Sequence, residues 1–313
     1  MPADGITLID TGYIRPHLCA AYLVHGERGR AALVDCGTAT CAGRVLEAID
    51  AAGVAREAVD WLLVTHVHLD HAGGAGPLMR ALPNARLVVH PRGARHMVDP
   101  EKLIAGAKQV YGEEMFARDH AGMLPVDEAR VVVAEDGHVV ELAGRPLLCA
   151  DTPGHALHHY SVWDADTRSW IAGDAFGLSY REFDNHNGAF ALPTTSPVQF
   201  DPEQMKASIR RLVAQGPAAI RIAHYGVVTE CARIADDLVA QVDAMAAIAR
   251  GVDGAPDRHA RIVEGLTVLC VERAAEHGVD APERMVAEVL GGDIEINAQG
   301  LGVWLDRRRR ALV

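Results

Sequence analysis

Short apolar runs alternate with amphipathic stretches along the N-terminal part of the chain. The runs that predict strands are residues 5–11, 18–25, 31–35, 61–65 and 86–90. Between them, residues 45–53 (VLEAIDAAG) and 77–83 (PLMRALP) carry apolar positions at helical spacing. Strands that alternate with helices in this way are typical of α/β layering.

Residues 92–125 interrupt this rhythm with a segment of helical spacing around LIAGAKQVYGEEMF. We expect an inserted helical segment that covers a site. From residue 131 onward the pattern changes to short apolar runs separated by turn residues. These runs, VVVA, HVVELAG, RPLLCAD, HYSVWD and RSWIAGD, predict antiparallel strands.

A helix is predicted over residues 202–216, because Asp201 suits an N-cap and Pro202 suits the first turn. A last strand is predicted over 218–224, and the chain beyond it is charged and mostly helical in periodicity. We therefore expect a main domain over 1–230 and a helical C-terminal extension over 231–313.

Composition narrows the class of partner. The chain has 313 residues, 49% of them apolar, so it can bury a sizeable core. Its formal net charge of −12 argues against a nucleic-acid partner, which needs a basic face. The six cysteines form no CxxC pair, and neither a signal peptide nor a membrane-spanning stretch is apparent. We expect reduced thiols, a cytoplasmic location and no membrane partner.

Residues 65–74, THVHLDHAGG, place three histidines and an aspartate within six residues after an apolar strand. His66 and His68 are two apart, so they can point to one spot, with Asp70 and His71 reaching a neighbouring one. Imidazole and carboxylate are ligands for zinc, manganese or iron. The cluster therefore predicts cations among these side chains.

Three further strands end in a residue that can bind a metal. His155 follows a strand and a Pro-Gly turn, Asp174 ends WIAGD, and His224 ends RIAH. Strand ends are where α/β folds commonly build sites. The repeated placement is hard to explain by ordinary polar residues, so we include all three in the predicted metal site.

The motifs THVHLDHAGG, TPGH and GD, followed by a later histidine, resemble those of the metallo-β-lactamase superfamily. VDCGT at 34–38 is similar to the early Asp-x-Gly turn of that superfamily. The resemblance implies a four-layer αβ/βα sandwich, here with a helical insert and a helical C-terminal extension, and it makes 1–230 the catalytic domain. Within the superfamily the motifs look most like the glyoxalase II-like branch, with lactonases as relatives.

The resemblance also implies the ligand set of a binuclear metal site. It assigns His66, His68 and His155 to a first cation, Asp70, His71 and His224 to a second, and Asp174 to a bridge between them. Cysteine takes no ligand position in this assignment, and Asp35 is similar to the family's aspartate that orients the metal-binding loop. The implied cofactors are two divalent metal ions, zinc first, with iron and manganese open because the same ligands accept them.

This ligand set implies a hydrolase in which a metal-bridging hydroxide attacks an ester, thioester or lactone of a small molecule. Asp70 is also expected to transfer a proton during collapse of the intermediate. Two alternatives stay open, a mononuclear iron persulfide dioxygenase and a non-catalytic metal-binding module. A homodimer through the insert or the C-terminal helices is left open as well.

Further polar residues near these motifs are weaker candidates. His186, in the loop FDNHNGAF, and the tyrosines Tyr180 and Tyr225 are candidate substrate-binding residues, with packing as the default for both tyrosines. His158 and His159 follow His155 closely, and strand alternation would send them to opposite faces, one of them near the metals.

Overall fold

The computed structural model describes residues 2–311 of the 313-residue chain. The chain divides into two compact units. The first unit contains the residues up to Asp151, His158–Gly173 and Ala218–Val227, and the second contains Thr152–Leu157, Asp174–Pro217 and the residues from Val228 onward. The two sheets belong to the first unit, apart from Val228 at the end of the last strand, and the helices from Pro202 onward belong to the second.

The N-terminal strands in the described chain form a six-stranded mixed sheet. In order across the sheet they are β1 (Ile6–Asp10), β2 (Ala20–His25), β3 (Ala31–Val34), β4 (Val59–Leu63), β5 (Arg86–Val89) and β6 (Val131–Val133). The pairs from β1 to β3 are antiparallel and those from β3 to β6 are parallel. Every side chain of β2 and β3 is buried, as in strands covered on both faces.

The second sheet of the first unit also has six strands within the described residues. These are β7 (Val139–Leu142), β8 (Arg145–Asp151), β9 (Tyr160–Asp164), β10 (Ser169–Ile171), β11 (Ala219–Ile222) and β12 (Gly226–Val228). Strands β7 to β10 pair antiparallel, whereas β10 and β11 are parallel. The sheet is therefore mixed, like the first.

Two strands differ from the sequence-based expectation. Residues Val131–Val133 were expected to open the antiparallel sheet, but they pair in parallel with β5 as the edge of the first sheet. Strand β12 follows the strand that was expected to be the last one. Both segments have only three residues, and so short an apolar run does not specify its partner.

Buried polar contacts join the two sheets inside the first unit. The guanidinium of Arg145 on β8 donates to the backbone oxygen of His25 at 3.0 Å and is paired with Asp164 at 2.6 Å. The hydroxyl of Tyr22 on β2 donates to the carbonyl of Ile222 on β11 at 2.7 Å. Each of these buried groups has a partner, so the polar atoms do not oppose burial of the surrounding apolar surface.

Six helices of the first unit lie in its described residues. They are α1 (Ala42–Ala51), α2 (Leu69–Ala72), α3 (Ala75–Ala81), α4 (Pro91–Val98), α5 (Glu101–Tyr111) and α6 (Glu113–Asp119). Val45 and Ile49 of α1 are buried in the core together with Leu62 of β4. The segment predicted as a helical insert thus folds as α4 to α6, and α5 has no fully buried side chain.

The second unit is built mainly from helices. Within the described residues they are α7 (Pro202–Ala214), α8 (Cys231–Gly251), α9 (Arg258–Glu276), α10 (Pro282–Val289) and α11 (Gly291–Ala311). Helix α7 begins as expected, because the Asp201 carboxylate accepts from the N–H of Gln204 at 2.9 Å. Among residues 2–311, none of the helices combines the length and the apolar character that crossing a membrane requires.

Candidate metal centre

The carboxyl ends of the parallel strands β3 and β4 lie at one edge of the first sheet. Asp35 directly follows β3, and its backbone N–H donates to the carbonyl of Leu63 at 2.8 Å. Its carboxylate, 2% exposed, accepts from the backbone N–H of Thr65 at 2.8 Å and from the Thr65 hydroxyl at 2.9 Å. Asp35 therefore holds the start of the THVHLDH segment in position.

Glycine allows the end of the same segment to approach the turn after β3. The N–H of Gly74 donates to the carbonyl of Gly37 at 2.9 Å. A Cβ on Gly74 would lie 2.8 Å from the Cys36 oxygen and 3.0 Å from the Thr38 oxygen, so a larger residue would force the backbones apart. The ligand-bearing segment is thus held at its start by the Asp35 carboxylate and at its end by a backbone contact.

Hydrogen bonds select which ring nitrogen two of the histidines offer. The Thr65 hydroxyl donates its one proton to Asp35, so it accepts from Nδ1–H of His66 at 3.1 Å. Nδ1 of His71 lies 3.0 Å from Oδ2 of Asp35, which can only accept. In both neutral rings Nε2 is therefore the nitrogen with the lone pair that a cation needs.

Two imidazole Nε2 atoms with lone pairs, those of His71 and His224, face the carboxylate of Asp70. His224 donates from Nδ1–H to the carbonyl of Leu18 at 2.8 Å, which leaves its Nε2 facing Oδ2 of Asp70 at 3.3 Å. Nε2 of His71 lies 3.4 Å from the same oxygen. A nitrogen lone pair and a carboxylate oxygen repel at this distance unless a proton or a cation lies between them. The three groups are arranged as ligands of one cation would be.

The charge state of Asp70 fits this arrangement. Burial on its own raises the pKa of Asp70, but positive charge and hydrogen bonds at His71 and His224, which a proton or a cation at their Nε2 atoms supplies, outweigh it and hold that pKa well below the usual value. The carboxyl group is therefore ionised near neutral pH, as a metal ligand must be.

His66 and His68 form a second pair of facing nitrogens, with Nε2 of His66 lying 2.9 Å from Nδ1 of His68. The ring of His159 stacks on His66 at 4.9 Å between centroids, and the ring of His158 lies 5.5 Å from His68. The expectation that His158 and His159 point to opposite faces is wrong, because β9 begins only at Tyr160 and strand alternation does not apply before it.

The second unit contains its own pair of predicted ligands. Nδ1–H of His155 donates to the carbonyl of Thr194 at 3.1 Å, and Nε2 faces Oδ2 of Asp174 at 3.4 Å. Both side chains are buried. The pair repeats the arrangement at Asp70, with an imidazole lone pair directed at a buried carboxylate.

Helix α11 holds the segment to which His155 is bonded. The carboxamide oxygen of Asn297 accepts from the N–H of Thr195 at 2.7 Å, and its nitrogen donates to the carbonyl of Pro193 at 3.2 Å. Asn297 is only 7% exposed. Thr194, whose carbonyl receives the His155 proton, lies between the two anchored residues. The C-terminal helix therefore helps to orient a predicted ligand.

The donor atoms present in each unit fit divalent cations. His66 and His68 offer two nitrogens close enough to share one cation or one proton, while Asp70 and Asp174 are carboxylates faced by imidazoles. Neutral imidazole and carboxylate are the ligand types of zinc, iron and manganese sites, and the hydrogen bonds at Nδ1 are the usual outer support of such ligands.

Comparison with known proteins agrees with this chemistry. Residues 14–224 match the family model described as the metallo-beta-lactamase superfamily. The chain belongs to that superfamily. Its two mixed sheets, helices and C-terminal helical extension confirm the predicted fold class, the αβ/βα sandwich of the metallo-β-lactamases.

Relatives of this metallo-β-lactamase superfamily member are moderately similar in sequence. A metallo-beta-lactamase fold-containing protein of Sulfurisphaera tokodaii is 26% identical over 73% of this chain and 81% of its own length. A hydroxyacylglutathione hydrolase of Acidiphilium cryptum is 29% identical over 82% of this chain and 86% of its own. The crystal structure of a metallo-beta-lactamase family protein from Thermus thermophilus covers 98% of this chain and 94% of its own, with a TM-score of 0.68 and 21% identity.

The sequence motifs of this superfamily member do not point to three side chains near Asp70, those of Cys19, His120 and Tyr13. Cys19, directly before β2, joins Asp70 and His224 in a group that could hold a metal ion. Nε2 of His120, directly after α6, shares a hydrogen bond with the hydroxyl of Tyr13 at 3.2 Å. Burial raises the pKa of Tyr13 and the negative charge of Asp70 adds to the rise. No spacing motif links these residues to the ligands, since folding alone brings them together.

The three candidate substrate-binding residues, Tyr180, Tyr225 and His186, differ in burial and in the groups they contact. Tyr180 is buried, and its hydroxyl donates to Asp293 of α11 at 3.2 Å. The ring of Tyr225 lies 5.1 Å from the ring of His17 in the first unit. His186 is exposed on a loop of the second unit that bonds through its neighbouring asparagines to the carbonyl of His277. Their roles in substrate binding stay predictions.

Proposed function

We propose that this chain is a metal-dependent hydrolase that cleaves an ester, thioester or lactone of a small molecule. The ligands we propose are His66, His68, Asp70, His71 and His224 of the first unit and His155 and Asp174 of the second. The observation that carries the proposal is that imidazole Nε2 lone pairs are directed repeatedly at the carboxylate oxygens of Asp70 and Asp174, at 3.3–3.4 Å. Such contacts are favourable when cations are bound between the groups.

Two divalent cations, zinc first among them, would supply a water of lowered pKa and an electrophile for the substrate carbonyl. The chain's own groups orient these ligands: Asp35 holds His71, and the Thr65 hydroxyl holds His66. Asp70 is ionised and lies between His71 and His224, so besides ligation we assign it two steps: it would accept the proton released by the attacking water and then deliver that proton to the leaving group.

A thioester is the first substrate to test within this class. The similarity to a hydroxyacylglutathione hydrolase supports that choice, and it extends over most of both chains. The net charge of −12 is in keeping with a small-molecule substrate rather than a nucleic acid.

The test combines metal content with turnover. Elemental mass spectrometry of the purified protein should find about two equivalents of zinc, iron or manganese per chain. The same sample is then assayed on glutathione thioesters, aryl esters and lactones, beside Asp70→Asn and the control Asp60→Asn. Asp60 lies on β4 and pairs with Arg30, so its variant should keep full activity.

The expected result is turnover that Asp70→Asn abolishes and Asp60→Asn preserves. Two equivalents of metal without turnover on any ester, thioester or lactone would contradict the hydrolase and favour a metal-binding module. One equivalent of iron per chain, with oxygen consumption in the presence of a persulfide, would contradict the hydrolase and favour the dioxygenase alternative.

A further inference from the structure

The loop before β2 brings a thiol to the proposed ligands Asp70 and His224. The Cys19 sulfur, a carboxylate oxygen of Asp70 and a ring nitrogen of His224 all lie within 4.8 Å of one another. The Cys19 thiol also donates to the backbone oxygen of Asp70 at 3.4 Å, a proton that it would lose on binding a cation. Cys19 is only 1% exposed, so its sulfur faces the protein interior. All three residues belong to the first unit.

The loop holds the thiol in a defined position. The backbone oxygen of Cys19 accepts from both the N–H of Thr11, at 3.0 Å, and the Thr11 hydroxyl, at 2.8 Å. The N–H of the next residue, Ala20, donates to Ala223 at 2.7 Å. The preceding carbonyl, that of Leu18, receives the Nδ1 proton of His224. The same short stretch therefore presents the sulfur and orients the imidazole beside it.

Cys19 differs from the other buried thiols in its surroundings. Among the described residues, it is the one cysteine that belongs to a group able to hold a metal ion. Burial raises the pKa of Cys149 and of Cys270 to about 12, as expected for thiols in apolar packing. Cys36 donates to the backbone oxygen of His71 at 3.0 Å and belongs to no such group of ligand atoms in residues 2–311.

We propose that the sulfur of Cys19 is an additional ligand of the cation held by Asp70, His71 and His224. This inference rests on the proposed function. Ligand atoms around a tetrahedral zinc ion are roughly 3.3–3.8 Å apart, given bond lengths of about 2.0–2.3 Å. The atoms of the observed group all lie within 4.8 Å of one another, so the set closes around a cation with a side-chain rotation that shifts the sulfur by no more than about 1.5 Å.

A thiolate changes what this position can bind and do. Sulfur ligands favour zinc over manganese, so the position becomes selective where the nitrogen and oxygen ligands alone are not. Cys19, Asp70, His71 and His224 are four protein ligands, which close a tetrahedral site without a bridge from Asp174, whereas sites that activate water keep an open position. The position at Asp70 would therefore hold its cation more tightly, and the position at His66 and His68 would be the more open one.

Cobalt spectroscopy and X-ray absorption test this ligand without relying on activity. The metal-free full-length protein is loaded with Co²⁺, and the near-ultraviolet charge-transfer band of a cobalt–thiolate bond is measured. We expect the band in the wild type and in Cys270→Ala, and its loss in Cys19→Ala and Cys19→Ser. The zinc-loaded wild type should show a sulfur shell at about 2.3 Å beside the nitrogen and oxygen shell at about 2.0–2.1 Å.

The outcomes separate this proposal from the proposed function. Tight binding of two equivalents with hydrolysis, but with neither a thiolate band nor a sulfur shell, would overturn the Cys19 ligand and leave the hydrolase standing. A band that persists in both Cys19 variants would also overturn it. Failure to bind Co²⁺ or zinc would overturn both. If the Cys19 variants do not fold, the sulfur shell of the wild type decides the question.

Discussion

Replacing Asp35 by asparagine tests how the metal-binding segment is oriented. In the wild type, Oδ1 accepts from the N–H of Thr65 at 2.8 Å and Oδ2 accepts from Nδ1–H of His71 at 3.0 Å. Asparagine keeps one oxygen, which can stay with the Thr65 N–H. Its NH₂ group then faces Nδ1 of His71, so that ring must move its proton to Nε2 to avoid two opposed donors.

The protonated Nε2 cannot bind a cation until the tautomer is restored. Outer partners of metal ligands typically contribute about 10–100-fold in metal affinity, equal to about 1.4–2.7 kcal/mol. We therefore expect Asp35→Asn to weaken zinc binding by that factor at the position of His71. The buried contacts that are lost should also lower the free energy of unfolding of the metal-free protein by about 1–3 kcal/mol.

Zinc affinity is measured by competition with a chromophoric chelator, and unfolding of the metal-free protein is followed by urea titration. Asp60→Asn is the matched control, since Asp60 is on β4 and its carboxylate pairs with Arg30. It should leave affinity unchanged and stability within about 1 kcal/mol. Wild-type zinc affinity in folded Asp35→Asn would refute the assignment of Asp35 as the group that sets the His71 tautomer.

Three further changes test other parts of the molecule. Asp174→Ala should reduce metal content and hydrolysis together, and a fully active variant with its full metal content would refute the ligand role. Asn297→Ala leaves a buried backbone N–H without its acceptor, so urea unfolding should show the free energy of unfolding fall by about 1–3 kcal/mol. The control Gln299→Ala removes only a solvent-exposed hydrogen bond to Glu295 on the same helix and should show little change. Burial raises the pKa of Asp164, but Arg145 and the hydrogen bonds of Thr167 together outweigh it and hold that pKa below the usual value. These contacts therefore stabilise the fold above about pH 4, and their contribution is lost as the carboxylate protonates at lower pH. The stability gap between wild type and Asp164→Asn should therefore narrow from neutral pH to pH values below about 4, and a gap independent of pH would contradict this reasoning.

Much of the fold was accessible from local patterns. The fully buried runs of β2 and β3 and the helix starting at Asp201 follow from apolar runs and capping residues that lie close together in the chain. The pairing of Val131–Val133 did not follow, because a three-residue apolar run does not specify its partner and β5 lies on the far side of the helical insert in the chain.

The candidate site divides in the same way. The types and order of the proposed ligands could be read from the sequence, since THVHLDH and the residues at strand ends are local features. The sequence does not show which ring nitrogen each histidine presents to a cation. That nitrogen is selected by Asp35 for His71, by Leu18 for His224 and by Thr194 for His155, all distant along the chain.

The sequence by itself determined the superfamily, most of the strands and helices, and which residue types capable of binding a metal follow the strands, because these depend on residue types at short spacings. The tertiary structure decided the tautomers, the support of His155 by Asn297, and the approach of Cys19 to Asp70. These features depend on contacts of a few ångströms between segments that only the packed fold brings together. No pattern of residue spacing along the chain marks such contacts.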